Sequence, residues 1–156
     1  MKILFIEDDD EKRKKINSYL QEIFPEINIV NQKSYHSGLK ELVAKRLYDL
    51  VLMDMSMPTF DITTDDPEGG SPESFAGREL LNQMKFRNIN YPTIIITQFD
   101  SFGEYIEKLS LEELNEELRN KFTPTYRETV YYHSSESNWK TQLKEEIEKI
   151  LKETND

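Results

Sequence analysis

Cysteine is absent from all 156 residues, which removes disulfides, thiol nucleophiles and thiolate metal sites together. Long hydrophobic runs are missing too, and nothing approaches the ~20 apolar residues of a membrane span. The apolar opening from Met1 to Ile6 is too short for a signal peptide and leads straight into acids. Basic residues are outnumbered: 20 Lys and Arg stand against 30 Asp and Glu, for a net charge of −10. Direct nucleic-acid contact is therefore not expected of so acidic a chain. The expectation is a cytoplasmic protein that needs neither a membrane nor nucleic acid as partner. A chain of this length is expected to be one domain, 1–156, able to bury about 68–70% of its unfolded surface.

What is there centres on Tyr48-Asp-Leu-Val-Leu-Met-Asp-Met-Ser-Met-Pro58. Leu50 to Met53 are four consecutive apolar residues, as suits a central strand covered on both faces. The run stops at Asp54, and Pro58 forbids the ladder from continuing. In open α/β sheets the ligand crevice lies outside the carboxyl ends of the strands. Asp54 is thus a candidate nucleophile or metal ligand; the alternative is a turn aspartate bonded to local amides.

Lys2 to Ile6 reads as a first strand, and Glu7-Asp8-Asp9-Asp10 follows at once. Ile16, Leu20 and Ile23 recur at helical spacing, so a helix begins near Asp9 or Asp10. The acids can cap that helix and favour the positive end of its dipole. Four in a row exceed what a cap needs, and like charges repel, which a bound cation would relieve. Ile27 to Val30 is a short second strand. Tyr35, Leu39, Leu42, Val43 and Arg46 then mark a helix ending near Leu47, with His36 as a solvated residue on its early turns. The stretch from Thr59 to Ala76 breaks the rhythm with Asp61, Asp65, Asp66 and Glu68, a Gly69-Gly70 pair and no basic residue. Such a loop is functional or disordered. Its few apolar residues predict mobility, and it is expected to cover the Asp54 crevice as a lid or docking surface.

From Gly77 a third helix carries Leu80, Leu81, Met84 and Phe86, and Tyr91 to Thr97 is the fourth strand. A helix is expected over about 102–108. The capping box Ser110-Leu-Glu-Glu113 then starts an extra helix at about 110–121. Glu128 to Tyr132 is the fifth strand, and Trp139, Leu143, Ile147 and Ile150 form the inward face of the last helix. Strands alternating with helices imply a doubly wound α/β sandwich, a parallel sheet with right-handed crossovers.

Taken together, these residues resemble the receiver domains of two-component response regulators. The likeness rests on Glu7-Asp8 after the first strand, Asp54-x-x-Met57-Pro58 after the third, Gly77-x-Glu79-Leu80 opening a helix, and Thr97 ending the fourth strand. The resemblance implies a flavodoxin-like, five-stranded parallel sheet of order 2-1-3-4-5 with helices on both faces. It implies that Asp54 is the phosphoacceptor and that Thr97 follows the phosphoryl group. Mg²⁺ would be held by Glu7, Asp8, Asp54 and the backbone carbonyl of Ser56. Such a stand-alone response regulator would be a phosphoprotein of a phosphorelay, fed by a histidine kinase or phosphotransfer protein. It would signal through protein contacts with an unknown downstream target and would be at most an enzyme on itself.

Three departures qualify this. The family's lysine after strand five is missing: Tyr132, His133 and Ser134 occupy that neighbourhood, and Lys140 reads as a solvated charge. Ser134, Ser135 and His133 are left as neutral substitutes. The 59–76 loop is long, and the segment before the fifth strand carries the added helix. The missing lysine keeps open a second reading, a phosphorylation-independent pseudo-receiver adaptor. A remote third is an aspartyl-nucleophile phosphohydrolase, which would want a second aspartate where Ser56 stands. Flavin binding is poorer still, because the acidic first loop would repel a phosphate.

Overall fold

Strand β3 (Leu50–Met53) is buried at every position and lies at the centre of the sheet. The computed structural model describes residues 1–70, 72–99, 101–104 and 107–155. On one side of β3 is β1 (Lys2–Ile6), followed outward by β2 (Asn28–Gln32). Two short strands, β4 (Met57–Pro58) and β5 (Pro72–Glu73), pair with each other outside the main sheet. Next to β3 on its other side come β6 (Thr93–Thr97) and, after a small hairpin of β7 (Ser101–Glu104) and β8 (Glu107–Ser110), the edge strand β9 (Tyr126–Tyr131). The main sheet runs β2-β1-β3-β6-β9, all parallel, which is the expected 2-1-3-4-5 order.

Each strand divides its side chains between two cores, because successive residues point to opposite faces. Leu4, Ile6, Val51, Met53 and Ile95 face helices α2 (Tyr35–Val43), α3 (Ala76–Phe86) and α4 (Leu111–Phe122). Ile3, Phe5, Leu50, Leu52, Ile94 and Ile96 face α1 (Asp10–Ile23) and α5 (Asn138–Asn155). The α1 stripe buries Ile16 and Leu20 completely, each burial contributing about 1.5–3 kcal/mol before the entropy of ordering is subtracted. Trp139, Leu143, Ile147 and Ile150 are the buried face of α5, as their spacing predicts.

Register decides what meets at the carboxyl edge. Ile6 pairs with Met53, and Met53 with Ile95, so the residues following β1 and β3 emerge side by side next to the end of β6.

Three expectations change. The helix predicted over 102–108 is instead the β7–β8 hairpin, with Phe102 opposite Leu109. An isolated helix that short is marginal in water, and antiparallel pairing satisfies the same backbone groups between two strands. The helix after Ser110 is therefore not extra: α4 is the crossover from β6 to β9, and the hairpin is the addition. Its capping box is present, with Ser110 accepting from the Glu113 amide. The second helix also stops earlier than expected, at Val43, leaving Leu47 83% exposed.

Candidate functional site

Glu7, Asp8 and Asp54 each offer a carboxylate oxygen to one point, and those oxygens lie within 4.8 Å of one another. Asp54 is only 3% exposed and Glu7 is fully buried. The Asp54 amide donates to the Ile6 carbonyl (3.2 Å), tying the end of β3 to β1. Its Oδ1 accepts from the Met55 amide at 2.6 Å, which fixes the carboxylate. A crevice of about 350 Å³ opens over these acids.

The sequence reading overlooked the cation in this cluster. Lys12 reaches in from the first turn of α1, its side chain 1% exposed. Its Nζ donates to Asp54 Oδ2 at 2.9 Å, to Glu7 Oε2 at 3.0 Å and to the Ile96 carbonyl at 2.8 Å. All three ammonium protons thus have acceptors. A signal for this was present: Lys12, Ile16 and Leu20 are spaced by four, so Lys12 lies on the buried stripe. Burial alone would pull the Lys12 pKa down, but the Asp54 and Glu7 carboxylates outweigh it and hold the ammonium above the ordinary lysine value. Burial, with the neighbouring Asp54 charge, pushes Glu7 up to about 9 despite Lys12. Asp8 is raised for the same two reasons.

The run of four acids divides its labour. Glu7 and Asp8 belong to the cluster, whereas Asp9 is the N-cap of α1, its Oδ1 accepting from the Lys12 amide at 3.0 Å. Asp10 pairs with Arg13 one turn on. Capping and cluster are therefore both realised, by different residues. Ser56 lines the crevice, and its hydroxyl donates to the Ser74 carbonyl (2.9 Å). Thr97 is fully buried at the end of β6, its Oγ1 accepting from the Phe99 amide at 3.3 Å. Gly77 packs so closely beneath the site that a Cβ there would stand 2.7 Å from the Asp54 carbonyl oxygen.

Two of the neutral substitutes after β9, His133 and Ser135, are engaged with each other. His133 Nδ1 is 2.8 Å from Ser135 Oγ, and both residues are exposed. Tyr132 is buried with the α1–α5 core, its ring 5.7 Å from Lys12 Nζ and 5.1 Å from the Trp139 ring. Lys140 lies over the rings of Tyr19 and Trp139.

The acidic 59–76 segment, expected to be mobile, carries hydrogen bonds of its own. Phe60 donates to the Gly69 carbonyl and Thr63 to that of Asp66, while Gly69 and Gly70 take positive φ. Ser34 Oγ donates to Asp61 at 2.6 Å, and the ring of His36, expected as merely solvated, lies 5.2 Å from that of Phe60. Ile62, Glu68, Glu73 and Ser74 form one wall of the crevice.

Three carboxylates and one ammonium leave a formal charge of −2 when all are ionised. Hard oxygens in an acidic pocket suit Mg²⁺, which takes a few carboxylates and keeps several waters. Glu7, Asp8 and Asp54 are the residues that fit it.

A parallel sheet of this order, with an acidic cluster at the ends of its first and third strands, is the receiver-domain fold of two-component response regulators. No family model matches the chain. Over 150 residues it is 29% identical to the Detocs response regulatory protein DtcB of Enterobacter cloacae (strain JD6301), covering 96% of this chain and 100% of that one. A response regulator receiver domain protein from Clostridium thermocellum superposes with a TM-score of 0.66 at 18% identity, over 99% of this chain and 96% of that one. The response regulator TrrA of Thermotoga maritima, solved in complex with Mg²⁺-BeF, gives 0.60 at 19% identity, over 96% and 97%.

Proposed function

We propose that this chain is a phosphoacceptor: Asp54 takes a phosphoryl group from a histidine kinase or phosphotransfer protein, and the chain then signals by protein contacts. Glu7, Asp8, Asp54 and the Ser56 carbonyl would hold Mg²⁺, which when bound offsets the charge of a phosphoryl group in flight. One Asp54 oxygen attacks phosphorus, an O–P bond forms, and the bond to the donor breaks with its electron pair leaving on the donor. The Met55 amide holds Asp54 Oδ1 through this exchange, so the nucleophile does not rotate freely. Thr97, at the adjacent strand end, offers the hydroxyl that would follow the new group.

One observation carries this reading: Asp54 meets Glu7 and Asp8 within 4.8 Å in a crevice that opens to solvent. The test is incubation with Mg²⁺ and acetyl phosphate. A label stable in acid and lost in base should appear on wild type and vanish in Asp54→Asn. If no donor, candidate kinases included, labels wild type, the reading is wrong.

A second reading rests on a specific contact. Asp54 Oδ2 is already neutralised by Lys12 in a carboxylate that is 3% exposed, which also suits an adaptor that never takes a phosphoryl group. The labelling experiment separates the two.

A further inference from the structure

We infer that Lys12, from the first turn of α1, is the residue that pairs with the phosphoryl group on Asp54. The inference rests on the phosphoacceptor reading and assigns that site its cation.

Among the described residues, none that lines the crevice is lysine, arginine or histidine, and six are Asp or Glu. A phosphoryl group carries about −1.5 to −2 charge, so it would enter an acidic pocket. Lys12 Nζ is already 2.9 Å from Asp54 Oδ2, the carboxylate that would bear it. Water does not compete for the ammonium, whose side chain is 1% exposed. When an Asp54 oxygen becomes an ester oxygen, that carboxylate loses its own charge and becomes a poorer acceptor. The new phosphoryl oxygens are better ones, and the N–H now aimed at Asp54 is free to follow them. The other two N–H groups keep Lys12 anchored on Glu7 and on the Ile96 carbonyl.

The bland alternative is a strut, in which Lys12 merely holds apart two like-charged carboxylates. Strut and phosphoryl partner have the same resting geometry but respond differently to a phosphoryl mimic. A strut is indifferent to it, whereas a partner binds it with a charge-assisted bond, whose loss weakens binding by about ten- to a hundredfold. The aromatic neighbours supply a reporter: Tyr132 lies 5.7 Å from Lys12 Nζ and 5.1 Å from Trp139, the chain's only tryptophan.

The experiment titrates beryllofluoride into Mg²⁺-saturated protein and follows Trp139 emission, with Mg²⁺ affinity measured separately by calorimetry. Lys12→Met should bind Mg²⁺ at least as tightly as wild type, since an ammonium leaves two of the metal's carboxylates, and lose beryllofluoride affinity by about ten- to a hundredfold. Lys12→Met/Tyr132→Lys, which offers an ammonium from just beyond the last strand, should recover part of the loss. Unchanged beryllofluoride affinity in Lys12→Met overturns the inference while leaving the phosphoacceptor reading intact. So does an equal loss of both affinities, which is the behaviour of a strut. Failure of wild type to bind beryllofluoride overturns both readings together. Should Lys12→Met not fold, the ¹⁵N ammonium resonance of Lys12 in wild type decides: it should shift when beryllofluoride joins Mg²⁺, and a stationary signal refutes the pairing.

Discussion

The turn after β1 and the turn after β9 leave the same edge of the sheet, yet they differ in kind. The first places two carboxylates, a helix cap and a buried ammonium within Glu7 to Lys12. The second buries Tyr132 as an aromatic and leaves His133 bonded to Ser135 at the surface. Among the described residues, the side chains paired or clustered with Asp54 come from one six-residue segment, Glu7 to Lys12. The difference teaches that a charge absent from one position of a fold can be supplied through space by another element. Chain position is a poor guide to which residue performs a task; what counts is which side chains the register brings together.

Four perturbations would sharpen or break this contrast. The largest effect should come from Lys12→Met, which leaves buried carboxylates unpaired. Removing one partner of such an ion pair costs about 3–5 kcal/mol, read as a lower urea midpoint without metal. Added Mg²⁺ should return part of it. Second, Mg²⁺ at a hundred times its dissociation constant should stabilise wild type by about 2.7 kcal/mol. Asp8→Asn should remove most of that gain in a thermal melt, and a full response in Asp8→Asn would exclude this cluster as the metal site. Third, Gly77→Ala should cost about 1–3 kcal/mol, since its methyl would meet backbone of Asp54 and Met55 at 2.7 and 3.1 Å. Smallest of all, His133→Ala should shift stability by no more than about 0.5 kcal/mol, as exposed substitutions do. A loss of several kcal/mol there would erase the contrast between the two turns.

Much of the architecture was legible in the sequence because buried parallel strands announce themselves as short apolar runs. Leu50 to Met53 and Lys2 to Ile6 have the bounds expected of them, and the 2-1-3-4-5 order followed from the family likeness. The meeting of Glu7, Asp8 and Asp54 was legible for the same reason: each stands just beyond a strand end. Lys12 was not, because a charged residue on an apolar stripe is passed over when only hydrophobic positions are counted. Segment 102–108 misled because helix and hairpin are not distinguished by periodicity over so few residues. The turn hydrogen bonds of the 59–76 stretch, and Gly69 and Gly70 at positive φ, were not legible either, because hydrophobic counting does not register them.

Lys12 has one further consequence, which concerns timing. A lysine side chain surrenders about 2 kcal/mol of rotamer freedom when it is fixed. Here that loss falls at folding, since the three acceptors of Lys12 are all in place beforehand. A site whose cation arrives only with its ligand must reorganise at the moment of reaction; a preorganised one does not. Chemistry at Asp54 would therefore begin with its electrostatic environment already assembled. The resting and modified forms would differ chiefly in how one ammonium shares its protons, a small displacement at the root of α1 rather than a long swing of a side chain.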